Sequence, residues 1–175
     1  KLYHDAKAID KIYSVLVIKN NKLVAEQYFN GYEIDDKNLI QSATKSYFST
    51  LVGIAIDQGC IESLDEKMMD FFPEYADQVS DPRKFDITIQ QMLQMRAGYP
   101  WEESTPELMD LLFSGFHNDT LVYVPLVRDP GADSEYSNLT SHILGIVVAR
   151  ACDTDLRSFA VEHLFGPMDI ETGFW

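Results

Sequence analysis

The chain has 175 residues, 46% of them hydrophobic, which is enough to bury a core of ordinary size in one globular unit. Its 28 acidic residues outnumber 14 basic ones for a net charge of −14, with no basic run, so neither nucleic acid nor an anionic membrane is an expected partner. No stretch is long and apolar enough to span a bilayer, the nearest being the interrupted helix from Leu139, and localisation stays open between periplasmic or secreted and cytoplasmic.

Residues 2–11 predict a short helix packed on a hairpin. That hairpin is formed by residues 13–19 and 22–29, rich in Val, Leu, Ile and Tyr and separated by Asn20-Asn21. Residues 31–40 read as an acid-bearing loop. The next helix carries Tyr47, Phe48, Leu51, Val52, Ile54, Ala55 and Ile56, apolar on nearly every face, and is expected to be buried and to end at Gly59. Thr88 and Gln91 read as a capping box opening a helix to Arg96, with Gly98 stopping it. Thr105-Pro106-Glu107 supplies an N-cap, a first-turn proline and an acid for a helix to about Ser114. Residues 139–151 form an apolar helix and residues 155–164 an amphipathic one. Two strands among so many helices make a poor sheet. An exposed edge and an uncovered face favour further strands supplied by another segment.

Several groups read as structural. His4, His117, His142 and His163 are scattered without ligand spacing, so no metal site is expected. His142, four residues beyond Asn138, reads as a satisfied helix residue. Cys60 and Cys152 read as buried small apolar side chains rather than a disulfide or a reactive thiol. No cofactor motif is present.

The chemistry concentrates in Ser42-Ala43-Thr44-Lys45, where a hydroxyl and an amine lie one turn apart at the start of the apolar helix. Unpaired N–H groups at a helix N-terminus favour developing negative charge on a serine oxygen. S-x-x-K alone is common by chance. A second polar element, Tyr136-Ser137-Asn138, follows the turn at Asp129-Pro130-Gly131 and precedes the helix from Leu139, which presents a phenol and an amide together. Tyr99 and Trp101, in the loop 98–105, are candidate substrate-pocket aromatics, with packing roles the alternative.

These two motifs, in this order, resemble the serine β-lactamase and penicillin-binding-protein-like hydrolases: the class C β-lactamase, DD-peptidase and esterase group whose second motif is Tyr-x-Asn. The likeness continues through Leu64-Asp65, Phe72-Pro73-Glu74, Gln91-Met92-Leu93, Leu144-Gly145 and Leu164-Phe165-Gly166-Pro167-Met168. It implies an α/β (α+β) fold of the β-lactamase/transpeptidase type, an antiparallel sheet flanked by helices, with this chain supplying the first two strands and most of the helical region. It also implies that Ser42, Lys45 and Tyr136 are catalytic, that Asn138 holds substrate and the Lys45 amine, and that the partner is a small acyl substrate. The base could be Lys45 or Tyr136. The reaction expected is acyl-enzyme formation on an ester, β-lactam or small amide. A silent sensor or scaffold domain is the alternative.

The third motif of that family, Lys-Thr-Gly or His-x-Gly, is not seen. Glu171-Thr172-Gly173 has an acid where the base belongs and follows Asn138 too soon. Residues 1–175 are therefore expected to be the N-terminal part of one catalytic domain, completed by a C-terminal segment or chain.

Overall fold

A computed structural model describes residues 1–173, in two units that divide after Ile40. Residues 174 and 175, the end of the stretch expected to sit mid-domain, lie outside the described residues.

In the first unit, helix α1 (Leu2–Lys7) precedes strands β1 (Ser14–Lys19) and β2 (Lys22–Tyr28). The turn between the strands works because Asn20 and Asn21 both take positive φ, 51° and 57°, a conformation asparagine tolerates and one that matches the twist of a tight hairpin. The strands pair antiparallel, with Val15 opposite Gln27 and Val17 opposite Ala25. The register then shifts before Ile18 pairs with Leu23. Below the hairpin the chain is closed by Phe29 N–H to Tyr13 O (2.9 Å) and by the Asn30 amide donating to Ile12 O (2.8 Å). Only Ala6 and Phe29 are buried apolar residues here, while Leu16, Ile18, Leu23 and Val24 are at least half exposed.

The second unit is helical. Its frame is α2 (Thr44–Asp57) packed on α6 (Asn138–Ala151), with α3 (Ile89–Leu93), α4 (Pro106–Ser114), α5 (Thr120–Tyr123) and α7 (Leu156–Ala160) around them. Leu51, Val52 and Ala55 of α2 meet a core built from Leu139, Ile143, Leu144, Val147 and Val148 of α6, with Ile61, Met68, Phe72, Ile87, Ile89 and Met92 beneath. Each such fully buried aliphatic side chain contributes about 1.5–3 kcal/mol of burial. Gly145 permits the close packing. A Cβ there would stand 3.0 Å from Leu156 Cδ2 and 3.5 Å from Phe48 Cε2.

Several expectations are corrected. Helix α2 buries one stripe rather than nearly every face. Tyr47, Ser49 and Thr50 are exposed, while Leu51, Val52 and Ala55 are buried on the side that packs on α6. The capping box forms as expected, Gln91 N–H to Thr88 Oγ1 at 3.1 Å and Thr88 N–H to Gln91 Oε1 at 3.0 Å, but α3 ends at Leu93 and not Arg96. The chain leaves the helix through Met95 at φ 56°. The segment after α7 continues as a wide turn, Val161–Phe165, with i→i+5 character.

The cysteines are the largest correction: Cys60 and Cys152 form a disulfide, their Cα atoms 5.0 Å apart. Each follows the C-terminal end of a core helix, Cys60 three residues beyond α2 and Cys152 as the C-cap of α6, so packing the helices side by side brings the thiols together.

Lys84 is the one buried lysine among the described residues, at 1% exposure. Its ammonium donates to the carbonyls of Leu121, Val122 and Val124 at 2.7–2.8 Å, three donors for three acceptors. Burial pushes its pKa down to about 8.

Candidate active site

Ser42 lies in a short 3₁₀ turn, Gln41–Ala43, that runs directly into α2, and Lys45 is on the first turn of that helix. The preceding Gln41 sits in the left-handed region at φ 43°, a bend of the kind found where a side chain is held up for use. Helical spacing then puts Lys45 Nζ 3.2 Å from Ser42 Oγ, donating to it.

The second motif arrives from a loop held by three arginines. Arg96 donates to the carbonyls of Gly131 and Ala132, Arg128 pairs with Glu135 at 2.7 Å, and Arg83 spans Asp81 and Asp129 at 2.7 and 2.8 Å. Glu135 N–H also bonds Met95 O at 2.8 Å. The Arg83 hydrogen bond holds the Asp81 carboxyl below its usual range. From this loop Tyr136 projects, Ser137 caps α6 by accepting from Thr140 N–H at 3.2 Å, and Asn138 begins the helix.

The four groups converge. Tyr136 Oη lies 2.5 Å from Ser42 Oγ, and Lys45 Nζ donates to Asn138 Oδ1 at 2.8 Å while standing 4.8 Å from the Tyr136 ring centroid. Ser42 is exposed, Tyr136 is 40% exposed and Lys45 is half-buried, so an incoming molecule can reach the serine oxygen. Burial raises the Tyr136 phenol, but its interactions with Lys45 and Ser42 together outweigh that, and its pKa moves below 10. The arrangement holds a serine hydroxyl against a phenol with lowered pKa, beside an amine.

Tyr99 does not join them. It is fully buried, and its hydroxyl donates to Leu121 O at 2.9 Å, the carbonyl that also receives Lys84. Trp101 is 42% exposed and stands just before a short turn, Glu102–Ser104. His142 is packed against Phe116, ring centroids 5.4 Å apart, and burial, with a smaller contribution from His117, lowers its pKa. Among the described residues no cluster of His, Cys, Asp and Glu could hold a metal ion, and no helix is long and apolar enough to cross a membrane.

Sequence reasoning missed Glu102. It is 1% exposed and its carboxylate accepts four hydrogen bonds at the start of α6: from Ser137 Oγ (2.8 Å), Leu139 N (2.7 Å), Asn138 N (2.8 Å) and Asn138 Nδ2 (3.2 Å). The available signal was an acid pair, Glu102-Glu103, between an aromatic loop and an N-cap, which gives no hint of burial.

The chain has relatives among known proteins. The Beta-lactamase family model matches residues 12–175. The chain is 32% identical over 170 residues to the 6-aminohexanoate-dimer hydrolase of Paenarthrobacter ureafaciens, covering 89% of this chain and 42% of that protein. It is 21% identical over 168 residues to Protein flp of Staphylococcus aureus (strain MW2), covering 90% and 33%. The chain thus spans less than half the length of the curated relatives it matches. Among solved structures, a beta-lactamase-like chain from Bacteroides dorei DSM 17855 superposes with a TM-score of 0.75 at 21% identity, covering 89% of this chain and 45% of that one. The D-stereospecific amidohydrolase from Streptomyces sp. superposes at 0.61 with 20% identity, covering 77% and 43%. These likenesses establish the fold.

Proposed function

The chain belongs to the beta-lactamase family, and from that premise we propose that it carries the nucleophilic half of a serine hydrolase acting through an acyl-enzyme. Its fold is of the β-lactamase/transpeptidase type and its relatives include hydrolases. The observation that carries the reading is the 2.5 Å contact between Ser42 Oγ and Tyr136 Oη, with Lys45 bonded to both Ser42 and Asn138.

In this reading Ser42 Oγ attacks a substrate carbonyl as its proton passes to Tyr136 Oη, whose lowered pKa suits it to hold that proton as base. Lys45 supplies positive charge beside both oxygens. Collapse of the tetrahedral intermediate breaks the bond to the leaving alcohol or amine, which takes the proton from Tyr136 and leaves an ester on Ser42. Water then attacks that ester, gives its proton to Tyr136, and Ser42 recovers its own as the acid departs. The Ser42 N–H supplies half of an oxyanion hole. Asn138 holds the Lys45 amine and borders the substrate, and Trp101, exposed beside the site loop, is the aromatic available to it.

The substrate class is a small ester, amide or β-lactam. Linear amides have the support of the amide-hydrolysing names among the relatives, the 6-aminohexanoate-dimer hydrolase and the D-stereospecific amidohydrolase. We further propose that residues 1–175 form the N-terminal part of one catalytic domain. The exposed apolar side chains of the hairpin, Leu16, Ile18, Leu23 and Val24, support strands from a further segment covering it.

The test is turnover of p-nitrophenyl butyrate, nitrocefin and a 6-aminohexanoate dimer by the full chain and by Ser42→Ala and Lys45→Ala. Loss of all turnover in Ser42→Ala and a fall of about 100-fold or more in Lys45→Ala are expected. Hydrolysis retained in purified Ser42→Ala sinks the proposal.

A further inference from the structure

Resting on that reading of Ser42 and Lys45, we infer that Glu102 is a positioning residue that sets the orientation of the Asn138 amide and, through it, the Lys45 amine. A carboxylate only accepts hydrogen bonds, with room for about four. Glu102 has four donors around it, all from residues 137–139, and is closed off from water. Two of them are backbone N–H groups at the start of α6 that would otherwise lack acceptors, and the anion also matches the positive end of the helix.

The consequence for the site lies in the fourth bond. Asn138 Nδ2 donates to Glu102 Oε2 at 3.2 Å, so Oδ1 on the other side of the amide faces Lys45 Nζ at 2.8 Å. The reversed amide would set Oδ1 against the carboxylate and N–H against the ammonium, both repulsive. A buried carboxylate thus fixes which end of an uncharged amide meets the lysine, in a line from Glu102 through Asn138 and Lys45 to Ser42. The Ser137 hydroxyl, also held by Glu102, anchors the residue directly after Tyr136.

The isosteric change Glu102→Gln tests this. A glutamine has one acceptor oxygen and puts an NH₂ where Oε2 was. The Asn138 side-chain amide can meet that NH₂ only by turning over, which presents its own N–H groups to Lys45, while the Asn138 backbone N–H, which also bonds Oε2, loses its acceptor whatever stands at the side chain of residue 138. Acylation of Ser42 by an activated ester or fluorophosphonate is expected to slow about 10- to 100-fold. In an Asn138→Ala background, where no amide remains to be oriented, the same change is expected to cost no more than about 2- to 3-fold. The exchange Glu102→Gln with Asn138→Asp restores matching side-chain partners, though not the acceptor of the residue 138 backbone N–H: the amide introduced at the first position donates to the carboxylate introduced at the second, and that carboxylate still accepts from Lys45. It is expected to acylate faster than either single variant. Thermal unfolding of each variant accompanies the rates.

Equal slowing by Glu102→Gln in both backgrounds, or none in either, overturns the assignment, because a plain helix cap acts independently of the Asn138 side chain. If Glu102→Gln does not fold, the exchange variant decides: recovery of folding and labelling supports the assignment, and failure to recover overturns it. Ser42→Ala is run in parallel. An adduct that persists there defeats the hydrolase reading itself, whereas an adduct dependent on Ser42 but indifferent to Glu102 defeats only this inference.

Discussion

Replacing both cysteines with serine removes the cross-link between the far ends of the two core helices and measures how much that link stabilises the fold. Cys60 and Cys152 are 92 residues apart, so the disulfide closes a long loop of the unfolded chain. The chain-entropy relation gives about 4–5 kcal/mol for such a loop. Neither cysteine is fully buried, so loss of packing adds little. For a chain of this size each kcal/mol moves the midpoint about 2–4 °C, so Cys60→Ser/Cys152→Ser is expected to melt roughly 10–20 °C below the parent. Urea unfolding followed by circular dichroism gives the free energy directly, and intact mass after iodoacetamide treatment of the denatured parent is expected to show no alkylation. The site is at the other end of α2, about 20 Å away for a 14-residue helix. The rate of Ser42 acylation well below the melting temperature is accordingly expected to stay within about 2-fold of the parent, the size of effect expected of distant, independent sites. Two alkylated thiols in the denatured, unreduced parent after iodoacetamide, or a stability change under about 1 kcal/mol, refutes the reasoning.

Two further outcomes follow from the structure. In the proposed mechanism Tyr136 acts deprotonated, and its pKa is lowered from that of an ordinary tyrosine, so the acylation rate is expected to rise with pH with its midpoint shifted below that of a free phenol, and Tyr136→Phe to lose that rise. A midpoint at or above that of an ordinary tyrosine, or an unchanged profile in Tyr136→Phe, contradicts the assignment. Gly98→Ala is expected to cost at least about 2 kcal/mol in thermal or urea unfolding. Gly98 takes φ +94°, and an added Cβ would run into the Arg128 carbonyl oxygen; a neutral result would mean that this loop rearranges at no cost.

Much of the molecule can be read from local signals. Asn20-Asn21 between two β-rich runs specifies the hairpin, Thr88 with Gln91 specifies a helix start, and Thr105-Pro106 another, since each signal is completed within four residues. The meeting of Ser42 and Lys45 is equally local, one helical turn. What escapes is whatever depends on partners distant in the chain. Tyr99 reads as an aromatic loop residue, and only the carbonyl of Leu121 and the ammonium of Lys84 explain its burial. Glu102 looks like a surface acid until the N-terminus of α6 closes on it. The disulfide was within reach of a sharper argument. If Lys45 and Asn138 touch at the N-termini of two parallel helices, the cysteines 15 and 14 residues further on must lie side by side at the other end.

The central claim is that Ser42 is the nucleophile, and the most direct measurement is intact-mass spectrometry of the natively purified full chain after exposure to a fluorophosphonate, beside Ser42→Ala. One probe mass added to the parent, located at Ser42 by peptide mapping and absent from Ser42→Ala, is the expected result. A folded parent that takes up no probe, or an adduct of equal yield in Ser42→Ala, contradicts it.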